Sequence, residues 1–345
     1  MQSKIEETRK LQFTGGSTYI ISLPKRWIDQ NQLKKGSEIR LRQEEGGLLS
    51  ILPNNAELPH KRDEAWIKVN LNDSPELVIR KTVSTYLVGY SVIHIKSEGE
   101  KQLSTIQRRE LKTFSRNMLV GTEIVTDTPE ELTLQVLLSY PELSIQSAMR
   151  RMSIITVSMQ RDAIAALKEL SSQRAKEVLI TDNEVDRFNL YIVRQLKNAI
   201  QNPRIIKEIG LKNARDCLGY RLVTKSVERT ADHAARIAEN VCHLKKKIDP
   251  EIVELLEKMS ETAIAMFEAS IESLFRQDYS VAESIVEKTK VVITMEKKSI
   301  AFAQNMDIEE APYVRLIIES IRRIAEYASD IAEIVLNLTV ESILS

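Results

Sequence analysis

The sequence predicts a multidomain protein with a β-rich N-terminal domain, an α/β middle module and an all-α C-terminal half. Eight of its ten glycines lie at or before Gly121, and none follows Gly219. Only three prolines follow Pro141. Because glycine and proline mark the turns between short elements, their scarcity indicates long helices from about residue 142 onward. An internal repeat in that half indicates two similar helical units.

The composition excludes several classes of protein. The 345 residues include 49 basic and 49 acidic side chains, with 43% hydrophobic residues, which is ordinary for a globular protein. A net charge of zero excludes a uniformly basic protein that coats nucleic acid, so DNA binding would need a local basic patch. Two cysteines cannot form a disulfide framework, and a reducing cytoplasm is the expected compartment. No apolar run has the length of a membrane span.

The first segment, residues 1–62, is basic and strand-rich. It holds eleven Lys and Arg against seven Asp and Glu, a net charge of +4. A β-rich run at 19–23 ends at Pro24, a short helix begins near Trp27, and residues 39–41 alternate as in a half-buried strand. The predicted order is strand, turn, strand, short helix, turn and strand, with one more strand after a glycine turn.

Four basic residues of this segment flank its strands, namely Arg9, Lys10, Lys25 and Arg26. One interpretation is that they contact the phosphate backbone of DNA from a small β-module. The other is that they are solvated strand ends. A dimer would double the basic patch and favour the DNA interpretation.

The second segment, residues 63–140, predicts the order β-α-β-α-β-β. The sequence Asp73-Ser74-Pro75 is a helix N-cap signature between its first two predicted elements. Neither a Walker A motif nor a G-x-G-x-x-G motif occurs anywhere in the chain. We therefore expect an α/β module with a packing or ligand-sensing role and no identified ligand.

The helical half contains two similar units, predicted as domains 142–247 and 248–345. Residues 221–241 align without gaps on 315–335, with ten identities in 21 positions. Such a repeat implies two copies of one helical arrangement. Prolines and polar breaks predict three helices in each unit, at 144–170, 173–200, 204–247, 250–276, 279–305 and 309–340.

Two pairs of carboxylates stand out in the first unit. Asp182 and Asp186 fall within the apolar stripe of the helix at 173–200, and Glu228 and Asp232 lie on the shoulder of the repeated helix. Partly buried carboxylates are costly unless a cation or a basic side chain satisfies them. The four oxygen donors could form a site for Mg, Mn or iron. The alternative is ion pairing with Arg or Lys from a neighbouring helix.

The sequence does not predict an enzyme. A di-iron oxygenase would need Glu-x-x-His motifs, whereas Glu228 is followed by His233 and Glu239 by His243, both at other spacings. No local nucleophile signature involves serine, cysteine or histidine.

Two helical motifs carry a family resemblance. The run VERTADHAARIAENV at 227–241 and its degenerate copy IRRIAEYASDIAE at 321–333 resemble the signature helix of the PhoU family, and DNEVD at 182–186 resembles its other conserved stretch. The resemblance covers about 142–340. It implies tandem three-helix bundles that bind metal clusters through E(D)xxxD motifs and repress phosphate uptake. The implied partners are the phosphate ABC transporter and a sensor kinase.

The resemblance implies that Asp182, Asp186, Glu228 and Asp232 are metal ligands. The metal stays open among iron, Mg, Mn and Zn. In the second unit, Arg322 stands where the first acid of the motif would be. A metal site is therefore expected only in the first unit.

A second resemblance covers residues 8–52. The sequences LPKRW at 23–27 and KKGSEI at 34–39 are similar to the SpoVT/AbrB swapped-hairpin domain. That resemblance implies DNA binding by a swapped dimer through basic residues on the β-surface. Its fusion to PhoU repeats resembles archaeal phosphate-uptake regulators.

Together the resemblances predict a cytoplasmic, non-enzymatic regulator that represses phosphate uptake and binds DNA as a homodimer. The alternative function is a protein-interaction adaptor. In that case the hairpin domain only dimerises, and the chain acts on the transporter or a signalling kinase without binding DNA.

Overall fold

The computed structural model describes residues 7–16, 18–43, 49–54, 64–99, 102–137, 143–201, 203–304, 306 and 308–344. The chain divides into two compact units, Met1–His60 and Lys61–Ser345. Within the described ranges, no helix combines the length and the apolar character needed to cross a membrane.

The N-terminal unit consists of two antiparallel hairpins and one short helix, in the predicted order. Gly15 and Gly16 have positive φ angles, and they provide the tight turn of the first hairpin. Glycine adopts this backbone region without the steric cost that a Cβ atom brings. The elements are β1 (Gln12–Thr14), β2 (Thr18–Ile20), α1 (Lys25–Gln30), β3 (Ile39–Gln43) and β4 (Leu49–Pro53).

Apolar side chains of this unit are exposed. Phe13 and Tyr19 pair across the hairpin with ring centroids 5.0 Å apart, yet they are 59% and 69% exposed. Leu11, Leu41 and Leu49 are also more than half exposed. None of the described residues from 7 to 54 is buried. A small domain needs a buried apolar core, so these strands require another apolar surface to cover them.

The middle module is a four-stranded sheet with two helices. Strands β5 and β6 are parallel and joined through α2, whereas β8 pairs antiparallel with both β6 and β7, which gives the strand order β5-β6-β8-β7. Ser74 caps α2, and Ser104 forms a capping box with Gln107 at the start of α3. The elements are β5 (Glu64–Val69), α2 (Pro75–Val88), β6 (Val92–Ser97), α3 (Thr105–Met118), β7 (Thr122–Asp127) and β8 (Glu131–Val136).

Long helices form the rest of the chain. They are α4 (Ile145–Glu169), α5 (Ser172–Gln201), α6 (Pro203–Glu208), α7 (Ala214–His243), α8 (Pro250–Arg276), α9 (Tyr279–Ala303) and α10 (Ala311–Thr339), followed by a 3-10 turn (Val340–Ser342). The predicted single helix at 204–247 is wrong, because the chain breaks between α6 and α7. Gly210 follows α6 with a φ of +85°, and the Asn213 side chain then accepts hydrogen bonds from the first amides of α7.

The two helical repeats share one apolar core. Helix α7 packs on α4 and α5 of its own repeat and on α10 of the second. The fully buried small residues Ala231 and Ala234 on α7, and Ala325 and Ala328 on α10, belong to this common cluster. The repeated helices therefore form the junction between the bundles.

Helix α5 is buried on two sides near its C-terminal end. The apolar stripe predicted from the helical projection of residues 173–200 includes Leu179 and Ile200. That prediction is partly wrong, since both are exposed whereas residues 191–196 are all buried. The reason is that α2 and α3 of the middle module pack on the face of α5 that turns away from the bundle. The buried Arg194 donates hydrogen bonds to the carbonyl oxygens of Gly89 and Tyr90, at 3.2 and 2.8 Å.

Replacing Gly89 with alanine should lower the free energy of unfolding by about 2–4 kcal/mol, because it disturbs the contact between the middle module and α5. Gly89 has a φ of +110°, and a Cβ atom there would lie 2.0 Å from Oδ1 of Asn198 on α5. Gly99→Ala is the matched control, because Gly99 also has a positive φ but no atom within 4 Å of the added carbon. Urea unfolding of the two variants measures the difference. Equal losses would show that the approach to Asn198 has no energetic effect.

Candidate metal site and basic surface

The two predicted carboxylate pairs approach each other where α5 packs on α7. Asp182 and Asp186 lie one turn apart on α5, and Glu228 and Asp232 lie one turn apart on α7. All four side chains are half-buried. The i, i+4 spacing places each pair on one face of its helix.

Burial and mutual repulsion make the three aspartates of this cluster hard to ionise. Burial, followed by the charges of Asp186, Asp232 and Glu228, raises the pKa of Asp182 to about 7. Burial, followed by Glu228 and Asp232, raises the pKa of Asp186 to about 6. The pKa of Asp232 is raised as well, by burial and then by Glu228. Lys225, Arg236 and Arg229 lower the pKa of Asp232 and so offset part of this effect.

Lys225 is the basic side chain that pairs directly with this cluster, and no sequence pattern pointed to it. It forms an ion pair with Glu228, three residues further along α7, and it lowers the pKa values of Asp186 and Asp232. Within the described residues, Asp182, Asp186 and Asp232 have no ion pair. The predicted alternative, a basic partner from a neighbouring helix, is met in part, because Lys225 of α7 lowers the pKa of Asp186 without an ion pair among the described residues.

The donors of the cluster fit a hard cation by their chemistry. All four are carboxylates, which suit Mg, Mn or iron, whereas zinc favours nitrogen and sulfur. In the described part of the chain, no three acidic, histidine or cysteine side chains stand close enough together to hold one ion. Binding would therefore require these side chains to converge and Glu228 to leave Lys225.

The second bundle contains a guanidinium in place of the first acid. Arg322, on α10, occupies the repeat position of Glu228, and its Nε lies 2.9 Å from Oε1 of Glu296 on α9. Arg322 also pairs with Glu326, the counterpart of Asp232. A fixed positive charge of the protein itself thus joins α9 to α10. The repeat predicted the position of Arg322 but not its partner Glu296, because the repeat does not fix the register of α9.

Arg322→Met should destabilise the second bundle by about 1–3 kcal/mol, because it leaves two partly buried carboxylates without their cation. Arg276→Met is the control. Arg276 pairs with Glu272 at 2.6 Å on the surface of α8, and such a pair is worth at most about 1 kcal/mol. Thermal and urea unfolding compare the variants. The ion-pair interpretation fails if Arg322→Met costs no more than Arg276→Met.

The raised pKa values predict that the metal-free protein loses stability as the pH rises. A folded-state pKa near 7 for Asp182 means that the folded chain holds a proton that the unfolded chain has released above about pH 4. The free energy of unfolding should therefore fall between about pH 4 and 7. Asp182→Asn should remove about 1–2 kcal/mol of that fall, measured by urea unfolding in chelator. Parallel pH profiles of the variant and the wild type would contradict this prediction.

His233, next to Asp232, is buried against α10. Burial, followed by the charges of Arg236, Arg323 and Arg322, lowers the pKa of His233 to about 4. Its imidazole is therefore neutral near pH 7. The ring lies 5.7 Å from that of Tyr327, which occupies the equivalent position in the second repeat.

The predicted DNA-binding residues all lie on the surface of the N-terminal unit. Arg9, Lys10, Lys25 and Arg26 are exposed, and Arg9 pairs with Glu7. The other three have no ion pair within the described residues. Lys25 and Arg26 begin α1, whose first turn contains no acidic residue. The four side chains are therefore accessible to a polyanion.

Comparisons with known proteins agree with this division of the chain. A model of the PhoU domain matches residues 149–241 and 256–335, together half of the chain. A model described as "Antidote-toxin recognition MazE, bacterial antitoxin" matches residues 12–57. That match falls on the segment that resembles the SpoVT/AbrB domain.

Individual relatives cover the helical half. The Thermotoga maritima "Phosphate-specific transport system accessory protein PhoU homolog 1" is 23% identical over 196 residues, which are 55% of this chain and 83% of that protein. The crystal structure of the phosphate transport system regulatory protein PhoU from Streptococcus pneumoniae has a TM-score of 0.51 at 18% identity, covering 58% of this chain and 96% of that one. PhoU from Pseudomonas aeruginosa has a TM-score of 0.50 at 19% identity, with 57% and 96% covered.

Proposed function

The chain belongs to the PhoU family, and from this premise we propose that it is a cytoplasmic, non-enzymatic repressor of phosphate uptake that binds DNA. One observation supports the proposal most strongly. The same chain contains PhoU repeats and a basic hairpin unit that the MazE antitoxin model matches. The repeats provide the link to phosphate transport, and the hairpin unit provides the link to DNA.

The exposed apolar residues of the hairpin unit support a homodimer. Two copies of Phe13, Tyr19 and Leu41 could cover each other, which supplies the core that one copy lacks. The same pairing would bring two sets of Arg9, Lys10, Lys25 and Arg26 together, a total of eight cations. Such a surface suits the phosphate backbone, which dominates the affinity of proteins for DNA.

The carboxylate cluster supports metal binding by the first bundle. Asp182, Asp186, Glu228 and Asp232 would hold the cation. It would neutralise the repulsion that, after burial, raises the pKa values of the three aspartates. The cation would join α5 to α7 electrostatically, the role that Arg322 has between α9 and α10. We assign it a structural or sensing role.

A second candidate function is an adaptor that acts on transport proteins. The name of the Thermotoga maritima relative describes an accessory protein of a transport system and mentions no DNA. In this function the hairpin unit would only dimerise the chain. Its four surface cations would then have no specific partner.

Deleting the gene in its own host tests the proposal and separates the two candidates. Loss of a repressor should raise the uptake of labelled phosphate in phosphate-replete cells, and restoring the full chain should reverse the rise. If the chain acts at promoters, transcripts of the uptake genes should rise in parallel. An adaptor would raise uptake at constant transcript levels. Unchanged uptake would contradict both functions.

A further inference from the structure

The junction of the two bundles contains a charged cavity that none of the functions above uses. It has a volume of about 450 Å³ and lies between α7 and α10. Four of its lining side chains are basic, and two are acidic, Asp232 and Glu319. Only Asp232 belongs to the carboxylate cluster as well. The basic residues are Lys225, Arg229, Arg236 and Arg323.

Two of these cations have no carboxylate partner among the residues that the structure describes. Lys225 and Arg323 form ion pairs with residues outside the cavity lining. Arg229 and Arg236 have no acidic side chain within ion-pair distance among the described residues. Arg229 lies over the ring of Tyr327, 5.8 Å from its centroid. The cavity therefore presents two guanidinium groups that no described carboxylate contacts directly, although both lower the pKa of Asp232 from a longer distance.

A buried polar group at the same wall also lacks a partner. His233 lines the cavity and is 7% exposed. Its Nδ1 atom is buried and forms no hydrogen bond with any described residue. Buried polar atoms are nearly always hydrogen-bonded. This nitrogen has almost no accessible surface, so a ligand in the cavity could reach it only if the imidazole ring turned.

The cavity is built from equivalent positions of the two repeats. Arg229 and Arg323 are one of the ten identical pairs of the repeat, and His233 and Tyr327 are also equivalent. Because α7 packs on α10, Arg229 and Arg323 lie on opposite sides of the cavity, which forms a groove between the two helices. Each repeat thus contributes an arginine and an aromatic ring.

The dimensions favour a ligand longer than one phosphate group. Arg229 and Arg236 are seven residues apart, which is about 10 Å along the helix axis. A second cavity of about 430 Å³ shares His233, Arg236 and Glu319 with the first and extends the groove. A chain of two or three phosphate groups spans more of this distance than inorganic phosphate does, so it could contact more of the guanidiniums at once.

We propose that this groove binds a condensed phosphate anion of two or three phosphate groups, either free or as the tail of a nucleotide. Guanidinium groups bind phosphate oxygens through paired, charge-assisted hydrogen bonds. The anion would also compensate the charges of Arg229 and Arg236. This inference goes beyond the regulator proposal and does not depend on DNA binding or on metal.

Isothermal titration calorimetry of the full chain, in chelator at about 150 mM salt, tests the proposal. The probes are pyrophosphate, tripolyphosphate, ATP, inorganic phosphate and sulfate. Pyrophosphate or tripolyphosphate should bind saturably with one site per chain, and inorganic phosphate and sulfate should bind at least about 10-fold more weakly. No saturable binding of either condensed phosphate would overturn the proposal.

Arg236→Gln and Arg323→Gln should each weaken tripolyphosphate binding by about 10-fold or more. Arg215→Gln is the control, because Arg215 lies on the same helix α7 but pairs with Glu341 on the surface, outside the groove. Circular dichroism confirms that each variant is folded. An equal loss in the Arg215 variant, or no loss in the other two, would overturn the assignment to this groove.

ATP distinguishes the two sources of the ligand. Binding of ATP as tight as that of tripolyphosphate, and equally sensitive to Arg236→Gln, would support a nucleotide tail. Binding of the free condensed phosphates alone would support a free anion. Both outcomes support the groove as a site for condensed phosphate.

Discussion

Glutamine at Arg9, Lys10, Lys25 and Arg26 together should reduce the affinity of the chain for its own promoter DNA by at least about 100-fold at moderate salt. All four side chains are exposed, and the substitution removes eight positive charges from a dimer. Each lost phosphate contact reduces the magnitude of the slope of log K against log salt by about 0.9. The loss of eight contacts should therefore reduce that magnitude by up to about 7. Fluorescence anisotropy at several salt concentrations measures both quantities.

A variant with the same change in net charge controls for non-specific electrostatics. It carries glutamine at four exposed lysines of the second bundle, which are Lys258, Lys290, Lys297 and Lys298. This control should bind DNA with nearly wild-type affinity and slope. If both variants lose affinity equally, net charge rather than the hairpin surface determines binding.

Asp186→Asn combined with Asp232→Asn should abolish metal binding by the first bundle. The two changes remove one carboxylate from each helix and leave two neutral amides, which are weak ligands for a hard cation. For the wild type, a metal at about 100 times its Kd should stabilise the fold by about 2.7 kcal/mol. That corresponds to a rise in Tm of about 5–10 °C, which the double variant should not show.

Elemental analysis after anaerobic purification provides the second readout. The control pair is Glu184→Gln with Glu239→Gln, which removes the same charge from exposed positions of the same two helices. The control should keep the wild-type metal content. Unchanged metal stoichiometry in the Asp186 and Asp232 double variant would contradict the site.

The helical pattern and the repeat were sufficient to predict most of this architecture. The identities between 221–241 and 315–335 predicted two bundles, and the structure places these two helices at the junction. The i, i+4 spacing of Asp182 and Asp186 predicted one shared face, which the structure confirms. Their approach to Glu228 followed from the resemblance, because helical periodicity does not determine which helices pack together.

Contacts between distant segments were not predictable from periodicity. Residues 191–196 include polar Arg194 and Gln195, and they are buried because the middle module covers α5. No local sequence pattern predicts the contact between the middle module and α5. Lys225 was missed because a lysine three residues before an acid is typical of a solvated helix face. The break before α7 did have a signal, namely Gly210 followed by the N-cap residue Asn213.

The most direct test of DNA-binding regulation is the equilibrium binding of the wild-type chain to DNA from upstream of the phosphate-uptake genes. An unrelated fragment of equal length is measured beside it, between about 50 and 200 mM salt. A dimer with eight phosphate contacts should prefer the upstream fragment and show a slope of log K on log salt near about −7. Equal binding to both fragments, with a shallow slope of log K on log salt, would contradict DNA-binding regulation.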